Sequence, residues 1–262
     1  MTSDNWSSAD LYERFMGRWS RILATNVISA LDPPSGLRWL DVGCGTGSVS
    51  EALLERTDPD SVIAIDPSEE YASATRSRLT DSRVSVEVAG ADDLPVPDSS
   101  IDRIVCGLVL NFVPDASSAV REMGRVLVPG GTATAYVWDY SHGMQMLRHF
   151  WDAATVEDPA AAELDEGRRF PLCHPDALSA CFAGALHDVT VTSTEVATRF
   201  SDFEDFWEPF LGGQGPAPSY CRSLSNEARD HLSSRLRATL PTQPDGTVRL
   251  TARAWVANGT AA

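Results

Sequence analysis

The chain has 262 residues, 43% of them apolar, enough for one α/β domain with insertions around a buried core. Its 37 acidic against 21 basic residues leave a net charge of −16 and a pI near 4.6. Nucleic acid and anionic membrane surfaces are disfavoured as partners, because both normally need basic patches.

All the basic residues are arginine. The five cysteines, Cys44, Cys106, Cys173, Cys181 and Cys221, are scattered without a C-x-x-C pair, so neither a disulfide framework nor a zinc ribbon is expected. Met1-Thr2-Ser3-Asp4-Asn5 lacks the basic region and apolar run of a signal peptide, and no stretch of eighteen apolar residues occurs. The expected compartment is the cytoplasm.

Leu11, Phe15, Trp19, Ile22, Leu23 and Val27 recur at helical spacing and predict an amphipathic helix, or a broken pair, before Pro33. Arg38-Trp39-Leu40-Asp41-Val42 reads as a buried strand, closed by Gly43-Cys44-Gly45-Thr46-Gly47 and followed by a helix through Val49–Leu54. Ser61–Ile65 is a second strand, after which Pro67 would open a helix through Tyr71, Ala74 and Arg78. Val84, Val86 and Val88 alternate with polar residues before a turn at Leu94–Ser99. Ile101–Cys106 is a fourth strand and Ala119–Leu127 a helix. Pro129-Gly130-Gly131 reads as a turn into a strand Thr132–Trp138. This alternation predicts a parallel sheet covered on both faces.

Beyond Asp139 the alternation breaks, and Tyr140–Leu186 reads as mainly helical. A strand His187–Thr192 follows, then helix-like aromatic segments (Phe200, Phe203, Phe206, Trp207, Phe210) around a turn at 212–216. Val248, Leu250, Ala252, Ala254 and Val256 alternate as in an edge or half-covered strand. The organisation expected is a single domain over 1–262, with an N-terminal helical lid at about 1–34, a cofactor-binding core at about 35–139 and helical cap insertions at about 140–186 and 194–246.

Glycines at alternate positions from Gly43 to Gly47 let the backbone turn sharply and bring amides close to a ligand where a Cβ would collide. The G-x-G-x-G spacing has Ser48 where the dinucleotide fingerprint G-x-G-x-x-G needs glycine, so NAD loses ground to another nucleoside cofactor. Asp66 ends the second strand nineteen residues after Gly47, where a carboxylate of this architecture accepts from ribose hydroxyls; a helix N-cap is the alternative role.

These residues resemble the class I S-adenosylmethionine-dependent methyltransferases, especially the small-molecule group related to quinone-biosynthesis enzymes. The likeness spans roughly Tyr12 to Trp138. It is carried by Leu40-Asp-Val-Gly-Cys-Gly-Thr-Gly47, Ile65-Asp-Pro-Ser68, Leu94-Pro-Val-Pro-Asp98, Phe112-Val-Pro-Asp115 and Arg125-Val-Leu-Val-Pro-Gly-Gly131.

The resemblance implies a Rossmann-like, seven-stranded, mostly parallel sheet with helices on both faces and helical cap insertions. It implies S-adenosylmethionine as cofactor and S-adenosylhomocysteine as product. Gly43, Cys44, Gly45 and Gly47 would lie against the methionine and ribose portions, Asp66 with Pro67 on the ribose, and Asp41 near the amino-acid end. Gly107 and Leu108 match positions whose backbone meets the methionine end. Ala91 and Asp92 fall at the adenine turn, where the usual Gly-Asp-Ala reads Ala89-Gly90-Ala91 and the expected acid is replaced by Gly90. Tyr12, Met16 and Trp19 look like an aromatic lid, with core packing as the alternative.

Methyl transfer from a sulfonium is an in-line displacement, so alignment in a dry cavity can supply about 7 to 11 kcal/mol and a catalytic residue is optional. Where the acceptor needs a base, His142, His149, His174 and Tyr140 are candidates, His142 first because it follows the fifth strand. Phe150 and Trp151 beside His149, and the aromatic residues Phe200–Phe210, would line or cover an acceptor pocket, or simply pack as core. Cys173, His174 and Cys181 lack four-ligand metal spacing. The expected activity is methylation of an O, N or C atom of a small-molecule acceptor, as in specialised metabolism, by a monomer or homodimer. The alternatives are a non-methylating enzyme that retains the cofactor, such as a cyclase or decarboxylase, a non-catalytic subunit, and an NAD-dependent oxidoreductase.

Overall fold

The computed structural model describes residues 12–212 and 215–262; Leu11 and the Gly213-Gln214 part of the predicted turn lie outside these. Seven strands, β1 (Arg38–Val42), β2 (Ser61–Asp66), β3 (Val84–Val88), β4 (Ile101–Gly107), β5 (Leu127–Trp138), β6 (His187–Phe200) and β7 (Val248–Thr260), form one sheet in the order β3-β2-β1-β4-β5-β7-β6. β1 pairs in parallel with β2 and β4, β2 with β3, and β4 with β5. Leu40 lies opposite Ile63 on one side and Ile104 on the other, so the middle of the sheet is a continuous apolar layer, as strands covered on both faces require. The seven-stranded, mostly parallel Rossmann-like sheet expected from the sequence is the one observed.

The chain divides into two compact units. The larger takes Trp19–Val137, Leu172–Thr194 and Trp255–Ala262. Its helices bury one apolar face each. In Ala116–Val126 the buried residues Ala119, Val120, Met123 and Val126 follow helical spacing, and Asp115 caps the helix by accepting the Ser118 amide at 2.9 Å. Arg125 on the same helix holds the Leu94–Asp98 turn: it donates to the Leu94 and Val96 carbonyls at 3.1 and 3.2 Å and pairs with Glu122 and Asp98, both at 2.6 Å.

The smaller unit takes the residues up to Arg18, Trp138–Pro171 and Glu195–Ala254. It is held by an aromatic cluster in which Phe210 stacks on Phe150 at 4.5 Å and meets Phe206 at 5.4 Å and Phe15 edge-on at 5.6 Å. Phe150, Trp151, Phe200, Phe206 and Phe210 are all buried, so core packing accounts for them. Asp139 is 2% exposed and accepts from Arg253 Nε at 2.9 Å and from the His142 amide at 3.1 Å.

Three local expectations change. The helix predicted to open at Pro67 runs Glu69–Arg78 and is capped by Ser68, whose hydroxyl is free of the proline's fixed ring to accept the Tyr71 amide. Pro129-Gly130-Gly131 is not a turn but part of β5, because the Gly130 amide and the Gly131 carbonyl pair with Ala261 from the far end of the chain. β6 continues to Phe200, which is therefore strand and not helix. Of the edge and half-covered readings of β7 the half-covered one holds, for the strand lies between β5 and β6 with buried residues alternating with more exposed ones, and the Gly130–Ala261 and Asp139–Arg253 backbone bonds make its pairing with β5 antiparallel. No helix among the described residues is long and apolar enough to cross a membrane.

Candidate functional site

Because β1, β2, β3 and β4 run in parallel, their C-terminal ends share one edge of the sheet. β1 and β4 are neighbours in space but not in sequence, which makes their junction the point where strand order reverses and ligands of open α/β sheets collect. Trp19, Asp41, Gly43, Cys44, Gly45, Gly47, Asp66, Pro67, Ala91, Asp92, Gly107 and Leu108 all belong to the larger unit, and all but Trp19 lie at these strand ends. Tyr12, Met16 and His142 belong to the smaller unit.

The glycine loop is fixed from both sides. The Gly43 and Cys44 amides each donate to the Ile65 carbonyl at 2.8 Å, and Thr75 Oγ1 donates to the Gly45 carbonyl at 2.7 Å. Arg78 donates to the Thr46 carbonyl at 3.2 Å and pairs with Glu51. Gly43, with φ +74°, could not carry a side chain, since a Cβ would meet the Val109 methyls at 2.5 and 2.6 Å. Gly45 has φ +55°, but a Cβ there would meet none of the described residues within 4 Å. Its amide is bound while its Cα faces open space, the arrangement of a cradle that a ligand approaches closely.

Asp66 ties the end of β2 to this loop, Oδ2 accepting the Gly45 amide at 3.0 Å and Oδ1 the Ser68 amide at 2.9 Å. It is not a helix N-cap, because Ser68 takes that role. Burial raises its pKa while the two amides lower it. A carboxylate has about four acceptor positions and two are filled, which leaves capacity for a pair of hydroxyls. Asp41 is fully buried; its Oδ2 accepts the Ser50 amide at 3.0 Å and the Ser50 hydroxyl at 2.6 Å, whereas Oδ1 has no partner among the described residues. Burial pushes its pKa up to about 7, against the Ser50 hydrogen bonds. The same desolvation raises the Cys44 thiol, so it is no nucleophile.

At the end of β4, a Cβ on Gly107 would collide with the Tyr136 hydroxyl and approach Val49 Cγ2 to 2.8 Å. Leu108 holds φ +63°, rare for a branched residue, with its amide donated to the Tyr136 carbonyl at 2.8 Å. Beyond β3, Ala91 is buried and Asp92 exposed. Asp92 Oδ1 lies 2.7 Å from where a Gly90 Cβ would stand, so its carboxylate fills the space of the side chain that Gly90 lacks.

In the smaller unit Met16 is buried and Tyr12 half-buried, and His142 is exposed. His149 is half-buried, and desolvation lowers its pKa. Trp151 Nε1 donates to Glu166, a buried carboxyl pushed up to about 7 by desolvation. Among the described residues no group of three or more His, Cys, Asp or Glu side chains could hold a metal.

Thr75, Arg78, Ser50 and Val109 shape the site but were not singled out from sequence. Thr75 and Arg78 share one helix face, yet nothing local to them signals a loop thirty residues earlier.

An open glycine cradle, an acidic strand end with spare acceptors and an unpartnered buried carboxylate oxygen together fit a nucleoside cofactor bearing a cationic group. Comparison with known proteins agrees. Residues 40–135 match the family described as "Methyltransferase domain". The chain is 32% identical over 121 residues to the ubiquinone/menaquinone biosynthesis C-methyltransferase of Geobacter sulfurreducens, covering 44% of this chain and 46% of that protein. It is 39% identical over 100 residues to the demethylmenaquinone methyltransferase of Listeria monocytogenes, covering 37% and 42%. The matched stretch thus spans less than half the length of these relatives. The fold also resembles Haemonchus contortus phosphoethanolamine N-methyltransferase 2 solved with S-adenosyl-L-methionine, at TM-score 0.61 and 17% identity, over 97% of this chain and 57% of that one.

Proposed function

We propose that this chain, whose residues 40–135 match the methyltransferase domain family, transfers a methyl group from S-adenosylmethionine to an O, N or C atom of a small-molecule acceptor, leaving S-adenosylhomocysteine. The observation that carries this reading is the shared hold of Asp66 and Gly45 on the mouth of the site, joined at 3.0 Å. The bound cofactor supplies an electrophilic methyl on a sulfonium.

In this reading Asp66 accepts from the ribose hydroxyls, with Pro67 beside it. Gly43, Cys44, Gly45 and Gly47 present backbone to the ligand, and Gly107 and Leu108 border its amino-acid end with Asp41. Ala91 and Asp92 flank the adenine, the Asp92 carboxylate taking the place of the acid absent at Gly90. Trp19, of the same unit, helps to exclude water from the cofactor. Alignment of acceptor and methyl does most of the catalysis. Where the acceptor atom is an acid, the exposed His142 is the candidate base. The names of the curated relatives make a quinol ring the first acceptor to try.

The test is mass-spectrometric detection of S-adenosylhomocysteine and a product 14 Da heavier over a panel of about a hundred phenols, quinols and amines. Turnover of at least one acceptor class is expected. Cofactor binding without any S-adenosylhomocysteine across the panel would count against methyl transfer.

A further inference from the structure

Two buried polar atoms at the strand-order reversal have no partner among the described residues, and they are of opposite sense. Asp41 Oδ1, near the end of β1, is an acceptor, and Asn111 Nδ2, just beyond β4, is a donor. The segment carrying Asn111 sits against the glycine loop, for Val109 is the residue that bars a side chain from Gly43. It also follows the strained Leu108 and forms the short turn Leu110–Phe112. A buried amide left without an acceptor opposes folding, and such groups in native proteins generally have a functional reason.

We propose that Asn111 is a specificity-determining residue whose side-chain amide donates to the α-carboxylate of the cofactor, while Asp41 accepts from its ammonium group. This rests on the S-adenosylmethionine reading given above. With the ribose held at the end of β2, the part of the ligand that extends from β2 past β1 meets the junction of β1 and β4. An amino-acid end is zwitterionic and needs one acceptor and one donor. Asp41 and Asn111 supply that pair, and neither is spent on another of the described residues through the atom concerned.

The experiment compares S-adenosylhomocysteine with 5′-methylthioadenosine, which keeps the adenosyl thioether and lacks the amino-acid end. Asn111→Leu preserves volume and removes the donor. Calorimetry should show affinity for S-adenosylhomocysteine falling about tenfold and affinity for 5′-methylthioadenosine changing less than about twofold. The ligand-free variant should melt no lower than the wild type, because an unmet buried donor has been removed. Asn111→Asp, which sets a second negative charge against the carboxylate, should weaken S-adenosylhomocysteine further and again spare 5′-methylthioadenosine.

A merely structural Asn111 would lower the melting temperature and weaken both ligands alike. That result, or unchanged affinity for S-adenosylhomocysteine, overturns the proposal. Wild-type protein that binds neither ligand instead overturns the cofactor reading, and this inference with it.

Discussion

Asp66 accepts the Gly45 amide at 3.0 Å and the Ser68 amide at 2.9 Å, so one carboxylate at the end of β2 sets both the curvature of the glycine loop and the start of the following helix. Removing it leaves two backbone donors without their acceptor. Asp66→Ala should therefore destabilise the fold by about 1 to 3 kcal/mol, and Asp66→Asn, which keeps one acceptor oxygen, by about half as much. Urea unfolding of the three proteins checks the order; equal stability of Asp66→Ala and wild type would contradict it.

Gly43 and Gly45 separate stability from binding. Both hold positive φ, but only Gly43 is walled in, by Val109. Gly43→Ala should lower the melting temperature sharply, a clash with the Val109 methyls adding to a left-handed strain of about 1 to 2 kcal/mol. Gly45→Ala should carry the strain alone, remain folded, and lose about tenfold or more in affinity for S-adenosylhomocysteine because its methyl projects where the ligand approaches. Melting curves and calorimetry on the pair read both quantities.

Asp41 makes stability depend on pH. Folding raises its pKa from the ordinary 3.8 to about 7, so between these values the folded chain keeps a proton that the unfolded chain has released. Its contribution is fully present below about pH 4 and is lost as pH rises through about 7. Glu166 in the smaller unit acts in the same window and direction. Asp41→Asn retains an oxygen for Ser50 and carries no charge, so its stability should fall less than the wild type's between pH 4 and 7, by of order a few kcal/mol. Identical slopes in denaturant titrations across that range would rule this out.

In the smaller unit, the buried Asp139 depends on Arg253, and Oδ1 is already engaged by the His142 amide. Arg253→Met should cost about 3 kcal/mol by leaving a buried charge unpaired, and Asp139→Asn on top should recover part of that loss. A double-mutant cycle measures the coupling; additive losses would contradict it.

The parallel half of the sheet was legible because its signals are local. Leu40-Asp41-Val42 and Ile63-Ala64-Ile65 are short apolar runs followed by glycine or proline, and the loop and Asp66 sit at the ends such runs must have. The antiparallel half was not. The partner of Gly130 and Gly131 is Ala261, so two glycines after a proline read as a turn until the far end of the chain is in place. The alternation of β7 fits an edge strand as well as an interior one whose outward residue, Arg253, is neutralised by Asp139. Phe200 reads with the helical aromatic residues that follow it because it packs on Phe206, which in turn meets Phe210, and these contacts belong to packing, not to any local period. Asn111 carries no motif; only the burial of its amide nitrogen without a partner among the described residues marks it.

The central claim is that Asp66 and the Gly43–Gly47 loop hold an adenosyl sulfonium. Calorimetric titration of S-adenosylmethionine into wild type and Asp66→Ala tests it most directly. Saturable one-site binding by the wild type and a loss of at least about tenfold in the variant are expected. No binding by the wild type, or equal affinity in the two proteins, would contradict it.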